Sequence, residues 1–204
     1  MHIVQVATVY EPNVEALPPE FRSVLTEQDV AGILHGPEYF ATLANADSPK
    51  WLRDVLQQCG ATVYELQFLS SGGAPYRPYF RFPFLGSAIS LPRTAPLRRD
   101  VPAFLHRLYG VIGAFCETGF DMAGGLHPGD ELKPLSEIGI WVESGGTIDP
   151  STAIPFLETL AGSQLCYRPD GGGAWLESGQ FRPVKDLERE VARYFKALLE
   201  GSRI

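Results

Sequence analysis

The stretch Gly124-Gly125-Leu126-His127-Pro128-Gly129-Asp130-Glu131 puts one imidazole and two carboxylates close together, with Asp121 nearby. An imidazole can take and return a proton near neutral pH, and with carboxylates beside it can hold a divalent cation. The spacing matches no family pattern of ligands or catalytic groups. Three readings therefore stay open: an acid/base or metal site built on His127, Asp130 and Glu131, an exposed loop of solvated charges, or an acidic contact loop for a basic partner protein.

Two other groupings are weaker. The run 75–84 interleaves Tyr76, Tyr79, Phe80, Phe82 and Phe84 with Arg77 and Arg81. Aromatics among arginines can stack single-stranded nucleic acid, but the alternation of Phe80, Phe82 and Phe84 with Arg81 and Pro83 is that of a half-buried strand. His106 and Cys116 could pair as base and thiol nucleophile. Both fall in an expected helix over 100–116, about 15 Å apart at 1.5 Å rise per residue, so they cannot touch there. Cys116 then reads as buried filler. No G-x-S-x-G, phosphate-loop or G-x-G-x-x-G pattern occurs. Gly171-Gly172-Gly173 follows Pro169-Asp170 and precedes Trp175 with no helix start, which fits a hairpin turn. Trp175 either packs on the last helix or stands exposed beside Asp170 and anchors a partner.

The chain's overall make-up narrows the classes. It has 204 residues, 45% hydrophobic and 20% charged, an ordinary globular balance. A chain of this size can bury roughly 70% of its unfolded surface. Gly 21 and Pro 17 imply many loops and argue against a helix bundle. A net charge of -7 repels nucleic acid and anionic membranes and attracts basic proteins. The opening Met1-His2-Ile3-Val4 shows no secretory leader, and no apolar run is long enough for a membrane helix. Cys59, Cys116 and Cys166 are widely spaced and read as reduced cytosolic thiols.

The elements that must position these groups follow from periodicity. Strands are expected over 2–10, 61–69, 79–85 and 138–143. Short helices are expected over 20–25, 28–34 and 37–43. A clearer helix starts at Ser48-Pro49 and stops at Gly60, with Trp51, Leu52, Val55 and Leu56 on its buried face. Residues 119–134 read as a polar loop and 152–160 as a helix. A hairpin over 164–177 and a helix over 185–199 close the chain. In that helix Leu187, Val191, Tyr194, Phe195 and Leu198 share one face. The expected fold is α+β, a mainly antiparallel sheet covered by helices in a single domain over 1–204.

The tail Leu165-Cys166-Tyr167, Gly172-Gly173-Ala174-Trp175-Leu176, Val191, Tyr194-Phe195 and Leu198-Leu199 resembles the closing portion of SUKH-superfamily domains. Leu17-Pro18-Pro19-Glu20-Phe21-Arg22 with Leu25 is similar to the Leu-Pro start near the front of that family. The resemblance implies a bacterial immunity protein that binds and blocks a cognate cytosolic toxin. The expected role is thus a cytoplasmic protein-binding module without cofactor or metal, engaging neither nucleic acid nor membrane. Its expected contacts with a basic toxin are Asp121, Asp130, Glu131, Asp170 and Trp175. The alternative is an enzyme using the His127 loop.

Overall fold

A computed structural model describes residues 3–10, 13–45, 48–60, 65–71, 76–82, 87–93, 97–117, 124–143 and 148–200. Among the described residues, ten strands make one sheet: β1 (Ile3–Tyr10), β2 (Glu65–Ser71), β3 (Arg77–Phe82), β4 (Ser87–Ser90), β5 (Ala114–Glu117), β6 (Gly125–Leu126), β7 (Ile154–Glu158), β8 (Gln164–Tyr167), β9 (Gly173–Glu177) and β10 (Gln180–Val184). Their spatial order is their sequence order, and every pairing is antiparallel. Among the described residues, four helices, α1 (Pro19–Arg22), α2 (Glu27–His35), α3 (Pro37–Leu43) and α4 (Lys50–Gly60), lie in the chain between β1 and β2. The others are α5 (Ala103–Tyr109) after β4, α6 (Leu135–Ile138) after β6 and α7 (Leu187–Leu199) after β10. The fold is therefore α+β.

Strand alternation sorts the side chains into two faces. The register sets Leu66, Phe80, Ile89, Phe115, Leu126, Leu157, Leu165 and Trp175 side by side across β2 to β9. That apolar row is the centre of the main core, joined by Leu52, Val55 and Leu56 of α4 and by Val191, Tyr194 and Phe195 of α7. Trp51 stacks on Phe195 with centroids 4.7 Å apart, and Phe115 meets Phe195 edge-on at 5.0 Å. Each such buried side chain contributes about 1.5–3 kcal/mol. The opposite face carries two smaller clusters. One is Tyr79, Ala88, Ala114 and Cys116. The other gathers Cys166, Ala174 and Leu176 under Leu135, Ile148 and Ala153.

Glycine is required at Gly125. Its φ is +115°, and a Cβ there would collide with the Phe115 carbonyl on the paired strand. The β9–β10 connection is a two-residue turn, Ser178 (φ 48°) and Gly179 (φ 83°). Positive φ at both positions is the type I′ geometry that suits the twist of flanking strands.

Several expectations from the sequence are corrected. The helix expected over 100–116 ends at Tyr109, where the Gly110 N–H bonds back to the His106 carbonyl. Gly113 then lies against the Leu91 carbonyl, with room for no Cβ, and donates to the Ser90 carbonyl at 2.7 Å. Cys116 consequently sits on strand β5, not on the helix of His106. The helix expected over 152–160 is strand β7, and Pro155 sits at a register shift against β8. The strand expected over 138–143 is the end of α6, stopped by Gly139 at φ +70°, followed by residues in no regular element. The loop expected over 119–134 contains β6 and a 3-10 turn, Gly129–Glu131. Strands β4 and β10 were not expected. β10 tolerates Pro183, which has no N–H, because it is an outer strand of the sheet.

Candidate functional site

The His127 loop is held by backbone contacts at the ends of the central strands. The His127 N–H donates to the Phe156 carbonyl at 2.8 Å, and the Tyr109 hydroxyl donates to the His127 carbonyl at 2.9 Å. The 3-10 turn then aims Asp130 and Glu131 at Arg77 of β3. Arg77 Nη2 lies 2.6 and 2.7 Å from the Asp130 carboxylate oxygens and 3.1 Å from Glu131 Oε1. Two carboxylates on one guanidinium leave a net negative charge, and both are directed at Arg77.

His127 takes a different neighbour. Its Nε2 is 3.7 Å from Glu158 Oε2. Burial lowers the His127 pKa to about 4, and burial raises that of Glu158. The imidazole is therefore neutral at physiological pH. His127 thus meets Glu158, while Asp130 and Glu131 meet Arg77. Among the described residues, no group of three or more His, Cys, Asp or Glu side chains is placed to hold a metal.

The lowered His127 value carries a consequence for stability. An unfolded chain binds a proton at this imidazole near pH 6.5, whereas the folded one does so only near pH 4. The stability from the neutral, buried ring is fully present above pH 6.5 and is lost as pH falls toward 4. Raised Glu158 acts in the opposite sense as pH rises past its ordinary value. Urea unfolding of wild type and His127→Gln from pH 7.5 to 4 should show a steeper fall for wild type. Parallel curves would mean the ring titrates normally.

The remaining groups singled out in the sequence also turn inward or serve their own loops. Asp121 lies outside the described residues. Asp170 accepts the Gly172 N–H at 2.9 Å and pairs with Arg168 at 3.1 Å, so it shapes its own hairpin turn. Trp175 is 6% exposed and its indole N–H donates to Glu190 of α7 at 3.0 Å. It packs on the last helix and does not stand exposed beside Asp170. In β3, Phe80 and Tyr79 are buried, and Arg81 pairs with Glu65 at 3.3 Å. Cys116 faces the Tyr79 hydroxyl, and burial pushes both Cys116 and Cys166 up to about 12, which leaves them as thiols. His106 is exposed on α5 while Cys116 is buried in the sheet, so they form no nucleophile pair.

Two features that the sequence did not single out stand on the surface. The first is Trp141, 69% exposed, with Ile138, 41% exposed, three residues before it. Its ring lies against Gly179 of the β9–β10 turn, where a Cβ would strike it. The Glu143 N–H donates to the Gly179 carbonyl at 2.9 Å, and Gln180 Nε2 donates to the Glu143 carboxylate at 2.7 Å. Trp141 is thus a large apolar side chain held outward on a braced segment, with Glu137 and Glu143 either side in the chain. The second is a groove of about 270 Å³ between α7, the β9–β10 hairpin and the β7–β8 turn, with Trp175 and Tyr194 among its lining residues. The available signal for the first was a Trp in an apolar segment flanked by glutamates. The pattern resembled a strand, and exposure is not visible in a pattern.

Comparison of the chain with protein-family models, with curated proteins and with solved structures finds no match.

Proposed function

We propose that this chain is a protein-binding module acting in the cytoplasm, and that its particular role is to neutralise a basic bacterial toxin by covering it. The observation that carries the reading is Trp141, 69% exposed on a segment tied to the β9–β10 turn. Tryptophan, with tyrosine and arginine, is enriched among the residues that carry the binding energy of protein interfaces. Glu137 and Glu143 border it, and the whole chain carries -7. A basic partner would be steered toward this face and held by the ring. Asp130, Glu131 and Asp170 contribute to the field, not to the contact. The resemblance of the tail to SUKH domains supports the toxin-binding form of the role.

The test begins with a photo-reactive phenylalanine analogue at position 141, and at exposed Leu34 as a control, in the native host. The proposal expects one basic protein crosslinked from 141 and not from 34. Against that purified partner, Trp141→Ala should raise the Kd at least about 30-fold, the scale of an interface hot spot of about 2 kcal/mol. Its unfolding free energy should stay within about 0.5 kcal/mol of wild type, as for a surface substitution. An unchanged Kd removes Trp141 from the interface.

A further inference from the structure

An open negative charge stands beside the Trp141 ring. A methyl group at Gly179 would lie 2.8 Å from Trp141 Cε3 and 3.3 Å from Glu143 Cγ, so the ring and the carboxylate stem sit side by side over that glycine. The bond from the Glu143 N–H to the Gly179 carbonyl, at 2.9 Å, holds the two together as a unit. Glu143 is exposed, and its Oε2 accepts from the neutral Gln180 amide at 2.7 Å. Among the described residues it makes no ion pair, so its charge is oriented but not balanced. Glu137, the other carboxylate near Trp141 in the chain, acts on Arg98. The ring itself stays 69% exposed.

We propose that the group seated on Trp141 is an arginine side chain of the partner, stacked on the indole face with a guanidinium N–H donated to the Glu143 carboxylate. This names the contact chemistry of the Trp141 face and rests on the reading of that face as the interface. An apolar side chain laid on the ring would take the neighbouring carboxylate out of water with no counter-charge, which is costly. A cation meets the negative face of the ring and the carboxylate together. Of the two long cations, the guanidinium is planar and weakly hydrated, lies flat on an aromatic face and still presents N–H groups at its edge. An ammonium is a strongly hydrated point charge and gives up more water to reach the same place. Gln180 holds the carboxylate in position beforehand, so little side-chain freedom is lost on binding.

The probe is the purified basic protein crosslinked from position 141, and its crosslinked peptide should contain an arginine. Tetrafluorotryptophan placed at 141 keeps the shape and apolar area of the ring and removes the negative charge of its face. It should weaken binding about threefold to thirtyfold, the span of a cation–π contact. Glu143→Gln keeps an acceptor for Gln180 and should weaken binding about tenfold or more at unchanged melting temperature, the scale of a charge-assisted hydrogen bond. Exchanging the partner's arginine for methionine should weaken it as much, and combining that change with Glu143→Gln should add little further. Lysine in place of that arginine should recover only part of the loss. Fluorination without effect, additive losses in the double-mutant cycle, or a crosslinked peptide lacking arginine would each overturn this inference. A large loss in Trp141→Ala beside any of those results leaves the protein-binding reading standing. No crosslink from 141, or an unchanged Kd for Trp141→Ala, removes both.

Discussion

Replacing Phe195 by alanine is expected to lower the unfolding free energy by about 3–5 kcal/mol, the range for losing a fully enclosed phenylalanine. The ring is 0% exposed and is the point where three elements meet. Trp51 of α4 stacks on it at 4.7 Å, Phe115 of β5 meets it edge-on at 5.0 Å, and Tyr194 lies 5.3 Å away. Truncation leaves a cavity between helix and sheet that those rigid neighbours cannot close. The denaturant midpoint should fall while the transition stays cooperative. A midpoint equal to wild type would show that α7 is peripheral to the core.

Asp29→Ala is expected to cost a similar amount for a different reason. Asp29 is 0% exposed, yet its Oδ2 accepts from the Thr26 N–H at 2.8 Å, from the Thr26 hydroxyl at 2.9 Å and from Arg93 at 2.7 Å. Thr26 in turn accepts the Asp29 N–H at 3.2 Å, which closes a capping box at the start of α2. Removing the carboxylate opens the cap and strands a guanidinium whose side chain is only 14% exposed. Breaking one partner of such a buried pair costs about 3–5 kcal/mol. Asp29→Ala with Arg93→Met should recover part of that loss, because no unpaired charge remains. Urea unfolding of the two singles and the double measures the coupling. A single-mutant cost below about 1 kcal/mol would contradict a tight tie between α2 and the segment after β4.

The elements legible in the sequence were those whose pattern is local. Leu52, Val55 and Leu56 recur at helical spacing after Ser48-Pro49, and α4 is there. Leu187, Val191, Tyr194 and Phe195 mark α7, and Pro169 to Gly173 mark the turn between β8 and β9. The failures arose where tertiary contacts decide. Leu108, Ile112 and Phe115 keep helical spacing, but Gly113 must approach the Leu91 carbonyl, so the helix ends and Phe115 enters the sheet. Strand β7 is buried on both faces, which erases the alternation that would have distinguished it from a helix. At the site, Asp130 and Glu131 read as a free acidic face because Arg77, which holds both, is distant in sequence. Trp175 read as packed on the last helix or, less simply, as an exposed anchor, and its hydrogen bond to Glu190 sets it on the helix. The outward stance of Trp141 depends on Gly179 and Gln180, which lie on a hairpin far along the chain.

Growth rescue measures the central claim most directly. The partner crosslinked from position 141 would be expressed alone in a susceptible host, then together with wild-type chain or with Trp141→Ala, at matched protein levels. The partner alone should arrest growth, the wild-type chain should restore it, and Trp141→Ala should fail while melting at the same temperature as wild type. A harmless partner, or full rescue by Trp141→Ala, would contradict neutralisation through this face.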